Sequence, residues 1–239
     1  MNVLAVALAA VGAVVAGVFA AQLAREYLAK RRHHALAWAL SLSCYAVGMV
    51  ALVVGFASGW SPASYGVYWL TGALLNVPLL AVGQLHLLDP GRAALWWTFA
   101  LLFAVWTAGA MLTSPFDPQA LAAADASGAI PEGRRVLGAG SLAYAVLRPF
   151  TIFGTIVVLG GCLWSGLRNK RYGILLIALG VLVSATSSSF LRAGLDAFVA
   201  VALTAGVSIM YAGFLAAGKP SRRRQDPMTA AARPPPPRL

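Results

Sequence analysis

Charged side chains are scarce in this sequence. Of its 239 residues, 10% are charged and 60% are hydrophobic, whereas a soluble domain is about 25% charged and roughly 45–50% apolar. So large an apolar surplus cannot be buried in one water-soluble core of this size. The composition therefore excludes a soluble enzyme and a disordered chain, and the lipid bilayer is the remaining solvent.

Cysteine and acidic residues are also few. Cys44 and Cys162 lie within apolar stretches, where a cysteine is typically a small core residue and not part of a disulfide or a metal knuckle. Seven Asp and Glu stand against 18 Lys and Arg, which gives a net charge of +11. In a soluble protein this charge would indicate nucleic acid as a partner. Here the basic residues lie between apolar blocks, so membrane topology explains them and no nucleic acid is expected.

Long apolar runs are abundant. A bilayer core about 30 Å thick requires roughly 20 apolar residues in a helix, and seven stretches meet or approach this length. Because they are continuously apolar and do not alternate, they favour helices over barrel strands. The sequence predicts an all-α polytopic membrane protein with seven transmembrane helices in residues 1–218, followed by a basic, proline-rich, disordered cytoplasmic tail at 219–239. The predicted spans are 3–23, 35–57, 65–88, 93–112, 142–167, 173–191 and 197–217.

The distribution of basic residues predicts the orientation. Fourteen of the 18 Lys and Arg lie in the first, third and fifth connections and in the tail. The positive-inside rule then predicts a plasma-membrane protein with its N-terminus outside and its C-terminus in the cytoplasm. The same residues predict contact with anionic lipid, worth about 1 kcal/mol for each basic residue near the surface. We expect the first run to be a span and not a cleaved signal, because no basic residue precedes it and four follow it closely.

A weak internal similarity links the two halves of the chain. Residues 30–40 and 169–179 both place basic residues before an apolar run that ends in Ala-Leu, and spans three and seven each contain a Leu-Thr pair, at 70–71 and 203–204. This pattern predicts that spans one to three repeat in parallel as spans five to seven, around span four as a linker. The alternative is a chance match between apolar sequences.

Two family comparisons arise from this arrangement. Microbial rhodopsins share the three-plus-one-plus-three pattern, but they need a lysine in the seventh span and an acidic residue in the third. Lys30, Lys170 and Lys219 all lie outside the predicted spans, so retinal chemistry is excluded. The stretches 60–73, 171–180 and 206–215 resemble a widespread group of bacterial seven-span membrane proteins. This resemblance implies the same fold and, since the group has no assigned activity, implies nothing about function.

No Asp or Glu falls inside any predicted span. Pumps and ion-coupled transporters normally use intramembrane acidic residues or histidines as relays, so the absence argues against an ion-coupled mechanism. No nucleophile–base pair stands out either. His33, His34 and His86 lie near the ends of spans two and three, but they lack a cysteine or carboxylate partner. We therefore expect no catalysis, no cofactor and no metal site.

One charged residue remains well inside a predicted span. Arg148 lies roughly 10 Å along span five at 1.5 Å per residue, and an intramembrane ionisable residue is a functional candidate by default. Polar residues of spans three and six fall at a similar depth, which predicts an outward-facing pocket for a small anionic or carbonyl-bearing ligand. The alternative is that Arg148 snorkels to the interface and that the serines bond their own helix backbone. The predicted ligand-binding residues are Arg148, Tyr68, Thr71, Asn76, Ser184, Ser187 and Ser188.

The resulting functional hypothesis is a non-catalytic ligand-binding or sensory membrane protein. One alternative is a facilitative transporter or channel for a small solute, in which the two repeats move against each other. Another is an accessory subunit that packs against a membrane partner or a second copy of the chain. The long connection at 113–141, with a short helix predicted at 119–126, is either a lid over the pocket or a mobile connector.

Overall fold

The fold is all-α. The computed structural model describes residues 3–145, 147–168, 170 and 172–218, with the backbone alone at 147, 148 and 218. In this part of the chain seven helices are long and apolar enough to cross a membrane, which confirms the predicted fold class and indicates a multi-pass membrane protein. The predicted tail at 219–239 lies outside the described residues. The seven helices, called spans one to seven, are Val3–Lys30, His33–Ser58, Pro62–Leu88, Pro90–Thr113, Leu142–Arg168, Tyr172–Arg192 and Asp196–Ala217.

The outward faces of the spans are apolar. On span four, for example, Leu101, Leu102 and Val105 are 64 to 65% exposed. Exposed apolar side chains on this scale are unfavourable in water and match a lipid environment, in which no hydrophobic penalty applies. The span boundaries agree with the predicted ones except that span one continues to Lys30. There Glu26 forms ion pairs with Lys30 at 3.5 Å and with Arg32 at 3.2 Å.

Six of the spans form a ring. Span one packs on spans two and seven, span two on three, three on five, five on six and six on seven, while span four packs outside the ring against span three and the start of span five. A cavity of about 20 Å³ lies on the ring axis, and its lining residues come from all six ring spans. This volume holds about one water molecule. At this level of the ring, toward the basic end, the bundle is therefore closely packed.

Spans six and seven approach at two pairs of glycines. A Cβ added to Gly180 would lie 2.5 Å from the carbonyl oxygen of Gly206, and a Cβ added to Gly213 would lie 2.6 Å from that of Gly173. Both helices space these glycines seven residues apart, which keeps them on one face over two turns. Small residues allow such backbone contact between membrane helices, so the glycines set the separation of spans six and seven.

Span three is not a uniform α-helix. Its residues Tyr68–Leu75 form a π-helix, and α-helix resumes at Asn76. Pro78 follows within the first turn after the π-helix, and it has no N–H to donate to a carbonyl one turn earlier. Wide turns of this kind are common at functional sites because they redirect side chains.

Residues 114–141 fold into a cap over one end of the bundle. Asp117 accepts the N–H groups of Gln119 and Ala120 and begins the helix Pro118–Ser127, which confirms the short helix predicted at 119–126. Residues 128–141 then return across the bundle through the short helix Gly133–Val136. Four apolar side chains of the cap are at most 4% exposed, namely Leu121, Ile130, Val136 and Leu137. The cap is a packed layer, and its end of the molecule is called the capped end; the opposite one is the basic end.

Candidate functional site

Arg148 belongs by its backbone to the first turn of the helix Leu147–Arg168, at the capped end of span five. Its side chain lies outside what the structure describes. The pocket around Arg148 and the alternative, in which Arg148 snorkels to the interface, therefore both stay predictions. The other six predicted ligand-binding residues are described, and they fall into three groups.

Thr71 and Ser188 bond to their own helices. Thr71 Oγ1 donates to the carbonyl oxygen of Val67 at 2.8 Å, and Ser188 Oγ donates to that of Ala185 at 3.0 Å. This is the backbone bonding that hydroxyl side chains commonly adopt within helices. For these two residues the geometry matches the alternative interpretation. Ser187, which precedes Ser188 on span six, is half-buried.

Asn76 joins spans two and three. The Oγ atom of Ser41, which is fully buried, lies 2.8 Å from both the main-chain oxygen and Oδ1 of Asn76. A buried polar pair of this kind fixes the register of two packed helices. The structure therefore gives Asn76 a partner within the protein, next to the point where the π-helix of span three ends.

Tyr68 and Ser184 lie near a common centre in the capped half of the ring. Tyr45 of span two donates a hydrogen bond to the carbonyl oxygen of Leu203 at 2.8 Å. Its hydroxyl lies beside that of Ser184 and within electrostatic range of Tyr68. Ser184 Oγ is buried against Gly206 and has no hydrogen bond of good geometry. Most buried hydroxyls have a hydrogen-bond partner, so a buried hydroxyl without a well-formed one is a candidate donor to a ligand. Spans two, three, six and seven all meet there.

An aromatic cluster connects span three to the start of span five, where Tyr144 lies, and through Phe116 to the cap. Tyr65 stacks on Trp69 at 5.9 Å between ring centres, and Trp69 stacks on Tyr144 at 6.3 Å. Trp60 contacts the edge of Tyr65 at 5.9 Å and Tyr68 at 5.5 Å. Trp60 and Trp69 are each only 6% exposed. They differ from interfacial tryptophans, which face the headgroups, because the cap covers them.

Two carboxylates hold the cap on the bundle. Asp125 Oδ1 accepts the main-chain N–H of Trp60 at 2.6 Å. Asp196, in the first turn of span seven, accepts the N–H of Ile130 at 3.1 Å. The indole N–H of Trp60 also donates to the carbonyl oxygen of Ala129 at 3.1 Å. The cap is therefore attached to the connection between spans two and three and to span seven by polar contacts, as well as by the aromatic cluster.

No protein-family model matches this sequence, and no curated protein or solved structure is detectably similar to it. The candidate site is therefore inferred from the residues of this chain alone.

The basic end contains a smaller histidine cluster. His33 and His86 stack at 5.7 Å between ring centres, and Trp97 donates its indole N–H to His33 Nδ1 at 3.2 Å. His86 is 4% exposed, with Nδ1 bonded to the carbonyl oxygen of Val82 and Nε2 without a partner. Among the described residues, no group of three or more His, Cys, Asp or Glu is arranged to hold a metal ion.

Several residues that shape the bundle carried a signal in the sequence that the predictions did not use. Tyr45 is a polar aromatic residue in the middle of span two, at the level of the polar groups of spans three and six. The seven-residue spacing of the four glycines in spans six and seven is a second such signal. By contrast, Gly17 and Gly160 do not mark close helix contacts, because a Cβ added to either would meet no heavy atom of another helix within 4 Å.

Proposed function

We propose that this chain is a non-catalytic ligand-binding or sensory membrane protein, with its site in the capped half around Tyr68 and Ser184. The observation that carries the proposal is the buried Ser184 hydroxyl, which lies without a well-formed hydrogen bond beside Tyr45. An unsatisfied buried hydroxyl costs about 1–3 kcal/mol. A ligand oxygen that accepts this hydrogen would recover that free energy.

The chemistry of the site favours an acceptor-rich ligand. Serine and tyrosine hydroxyls can donate to a carbonyl or carboxylate, and Arg148 would add a cationic donor from span five. Thr71, Asn76 and Ser188 already have partners within the protein, so they shape the walls of the proposed site and do not bind. The ligand class is a small organic anion or carbonyl compound.

The proposed function predicts different effects for two serines of the same span. In a thermal-shift screen of the full chain in detergent against acetate, pyruvate, lactate and acetone, at least one probe should stabilise the wild type. Ser184→Ala and Arg148→Leu should each weaken its binding about tenfold or more, which corresponds to the loss of one buried hydrogen bond of about 1.4 kcal/mol.

Ser188→Ala is the matched control, because Ser188 bonds its own helix and should leave the affinity unchanged. If no probe stabilises the wild type, or if Ser184→Ala binds as tightly as the wild type, the proposed site is wrong.

A facilitative transporter is the second candidate. It is favoured by the ring, in which span three packs on five as span seven packs on one, with span four outside. This is the order expected of two parallel three-helix repeats around a linker. The axial cavity of about 20 Å³ is lined by both halves. Flux of the stabilising probe into proteoliposomes would distinguish transport from binding alone.

We propose that the capped end faces the outside and the basic end the cytoplasm. The exposed basic residues that flank Glu26, together with those after span five and in the tail, support this orientation by the positive-inside rule. They would also contact anionic lipid headgroups, each over a range of about one Debye length.

This orientation predicts opposite labelling of two single-cysteine substitutions. Ser127→Cys, at the exposed end of the cap helix, should react with a membrane-impermeant maleimide on intact cells. Ala29→Cys, exposed at the basic end, should react only after permeabilisation. The native Cys44 and Cys162 lie within spans and provide an internal background. The reverse pattern would invert the proposed topology.

A further inference from the structure

A second cavity opens at the capped end, and neither Tyr68 nor Ser184 lines it. Its volume is about 210 Å³, and it lies between the end of span two and the last turn of the cap helix. Phe56 of span two and Trp60, in the connection that follows it, form one side, and Asp125, Gly128 and Ala129 form the side that belongs to the cap. The cavity is therefore an intrinsic part of the junction between bundle and cap.

The described lining of the cavity contains one acidic residue, Asp125, and no basic one. Asp125 lies in the last turn of the helix Pro118–Ser127, where the helix dipole already places partial negative charge. One carboxylate oxygen accepts the N–H of Trp60. Among the described residues no Lys or Arg forms an ion pair with Asp125. An unpaired carboxylate at a helix C-terminus favours the arrival of a cation.

The aromatic wall is held in a fixed position. The Trp60 indole is fastened at Nε1 by the carbonyl oxygen of Ala129 and lies against Gly55, at which a Cβ would come within 2.5 Å of the ring. Gly59 adopts a φ of +87°, and a Cβ there would lie 3.1 Å from Asp125 Oδ2. Because Gly55 and Gly59 have no side chain, the Trp60 indole and the Asp125 carboxylate can lie close to the backbone at these two positions. Indole is the best aromatic surface for binding a cation.

We propose that this cavity binds a small organic ammonium ion between the Asp125 carboxylate and the Trp60 indole. Ca²⁺ or Mg²⁺ would require six or more oxygen ligands, whereas the described lining offers one carboxylate. An ammonium ion needs only one counter-charge and an aromatic face, which are the groups present. Because the ligand would contact both span two and the cap, its binding would stabilise the docked cap. This site is separate from the proposed function and does not depend on it.

The test uses tetramethylammonium as the probe and tert-butanol as its uncharged analogue of similar shape. Binding to the detergent-purified full chain is measured by calorimetry, with ionic strength held constant by NaCl. Wild type should bind tetramethylammonium saturably and should not bind tert-butanol. Asp125→Asn should weaken binding about tenfold or more, because the amide keeps an oxygen for the Trp60 N–H but removes the counter-charge.

Glu132→Gln is the matched control. It removes one negative charge from the same cap, where Glu132 is paired with Arg135 at 3.3 Å, but Glu132 does not line the cavity. Its affinity for tetramethylammonium should equal that of the wild type. Equal weakening by both substitutions, binding of tert-butanol as tight as that of the cation, or no saturable binding by the wild type would each overturn the proposal. Ser184→Ala should leave this binding unchanged, which separates it from the site around Ser184.

Discussion

Gly180→Val should strongly destabilise the bundle, by about 3 kcal/mol or more. The added Cβ alone would lie 2.5 Å from the carbonyl oxygen of Gly206 and 2.5 Å from Met210 Cγ. One of these neighbours is backbone and cannot rotate away, so spans six and seven would have to separate. Overpacking a core costs about 1–3 kcal/mol and occasionally more, and this clash lies against a main chain.

The separation would also affect the second glycine pair. Gly173 and Gly213 lie two turns away on the same two faces and meet at a similar distance. Moving the helices apart at Gly180 therefore loosens dispersion contacts along most of the interface, and such contacts, with interhelical hydrogen bonds, are what drive helix association in lipid. The measurement is reversible unfolding of the full chain in mixed micelles with increasing SDS.

Gly160→Val is the control for the same substitution in a membrane helix. Gly160 of span five is exposed, and a Cβ there meets no heavy atom within 4 Å. The variant should unfold at the wild-type midpoint or slightly above it, since glycine is the less favourable residue in a helix interior by up to about 1 kcal/mol. Equal midpoints for Gly180→Val and wild type would contradict the close packing of spans six and seven.

The spans were predictable because a bilayer imposes one requirement on every helix that crosses it. A run of about 20 apolar residues can adopt few structures other than a helix in lipid. Composition and length were therefore sufficient to locate all seven spans. Span one exceeds its prediction because the bilayer limits only the apolar part of a helix. Beyond residue 23, Ala24, Leu28 and the Glu26–Lys30 pair continue to favour helix in water.

The packing of the cap was not predictable in the same way. Ile130, Val136 and Leu137 are separated by turn residues and show neither helical nor strand periodicity, so nothing in their spacing marks them as buried. What buries them is a set of long-range partners on spans two, three and seven. Only the helix at 119–126 was visible beforehand, since Asp117 and Pro118 are a standard helix start.

The candidate site was predictable in part for a related reason. Depth along each span can be counted from the sequence, and this placed Tyr68 and Ser184 in the same half of the bundle. The direction in which each side chain faces depends on rotation about the helix axis, which packing decides. Thr71 and Ser188 had the right depth and chemistry, but each hydroxyl bonds a carbonyl of its own helix.

Trp69→Ala should release the cap, with a loss of about 3–5 kcal/mol in the stability of the capped half. Trp69 stacks on Tyr65 and Tyr144 and lies directly beneath Gly133, at which a Cβ would overlap its ring. Replacing a buried tryptophan by alanine removes these contacts and leaves a cavity, which typically costs this amount. Because the Trp69 ring lies against Gly133 of the cap, the loss should appear there first.

Trypsin provides a local measurement of cap opening. Arg134 and Arg135 have exposed side chains, but Val136 beside them is buried and its carbonyl oxygen accepts the N–H of Asp117 at 2.9 Å. Cleavage at these arginines therefore requires local unfolding, and its rate follows the population of the open cap. For a loss of about 3 kcal/mol, Trp69→Ala should be cleaved roughly a hundredfold faster than the wild type.

Trp164→Ala is the control, because it removes the same kind of side chain from an exposed position. Trp164 of span five is 63% exposed, far from the cap in sequence and at the opposite end of its helix. Trypsin should cleave the Trp164→Ala variant at Arg134 and Arg135 at the same rate as the wild type. If both tryptophan variants were cleaved at the same rate, Trp69 would not anchor the cap. The cap covers the end of the bundle in which Tyr68 and Ser184 lie. A faster cleavage of Trp69→Ala alone would therefore mean that the aromatic cluster controls access to the polar centre beneath the cap.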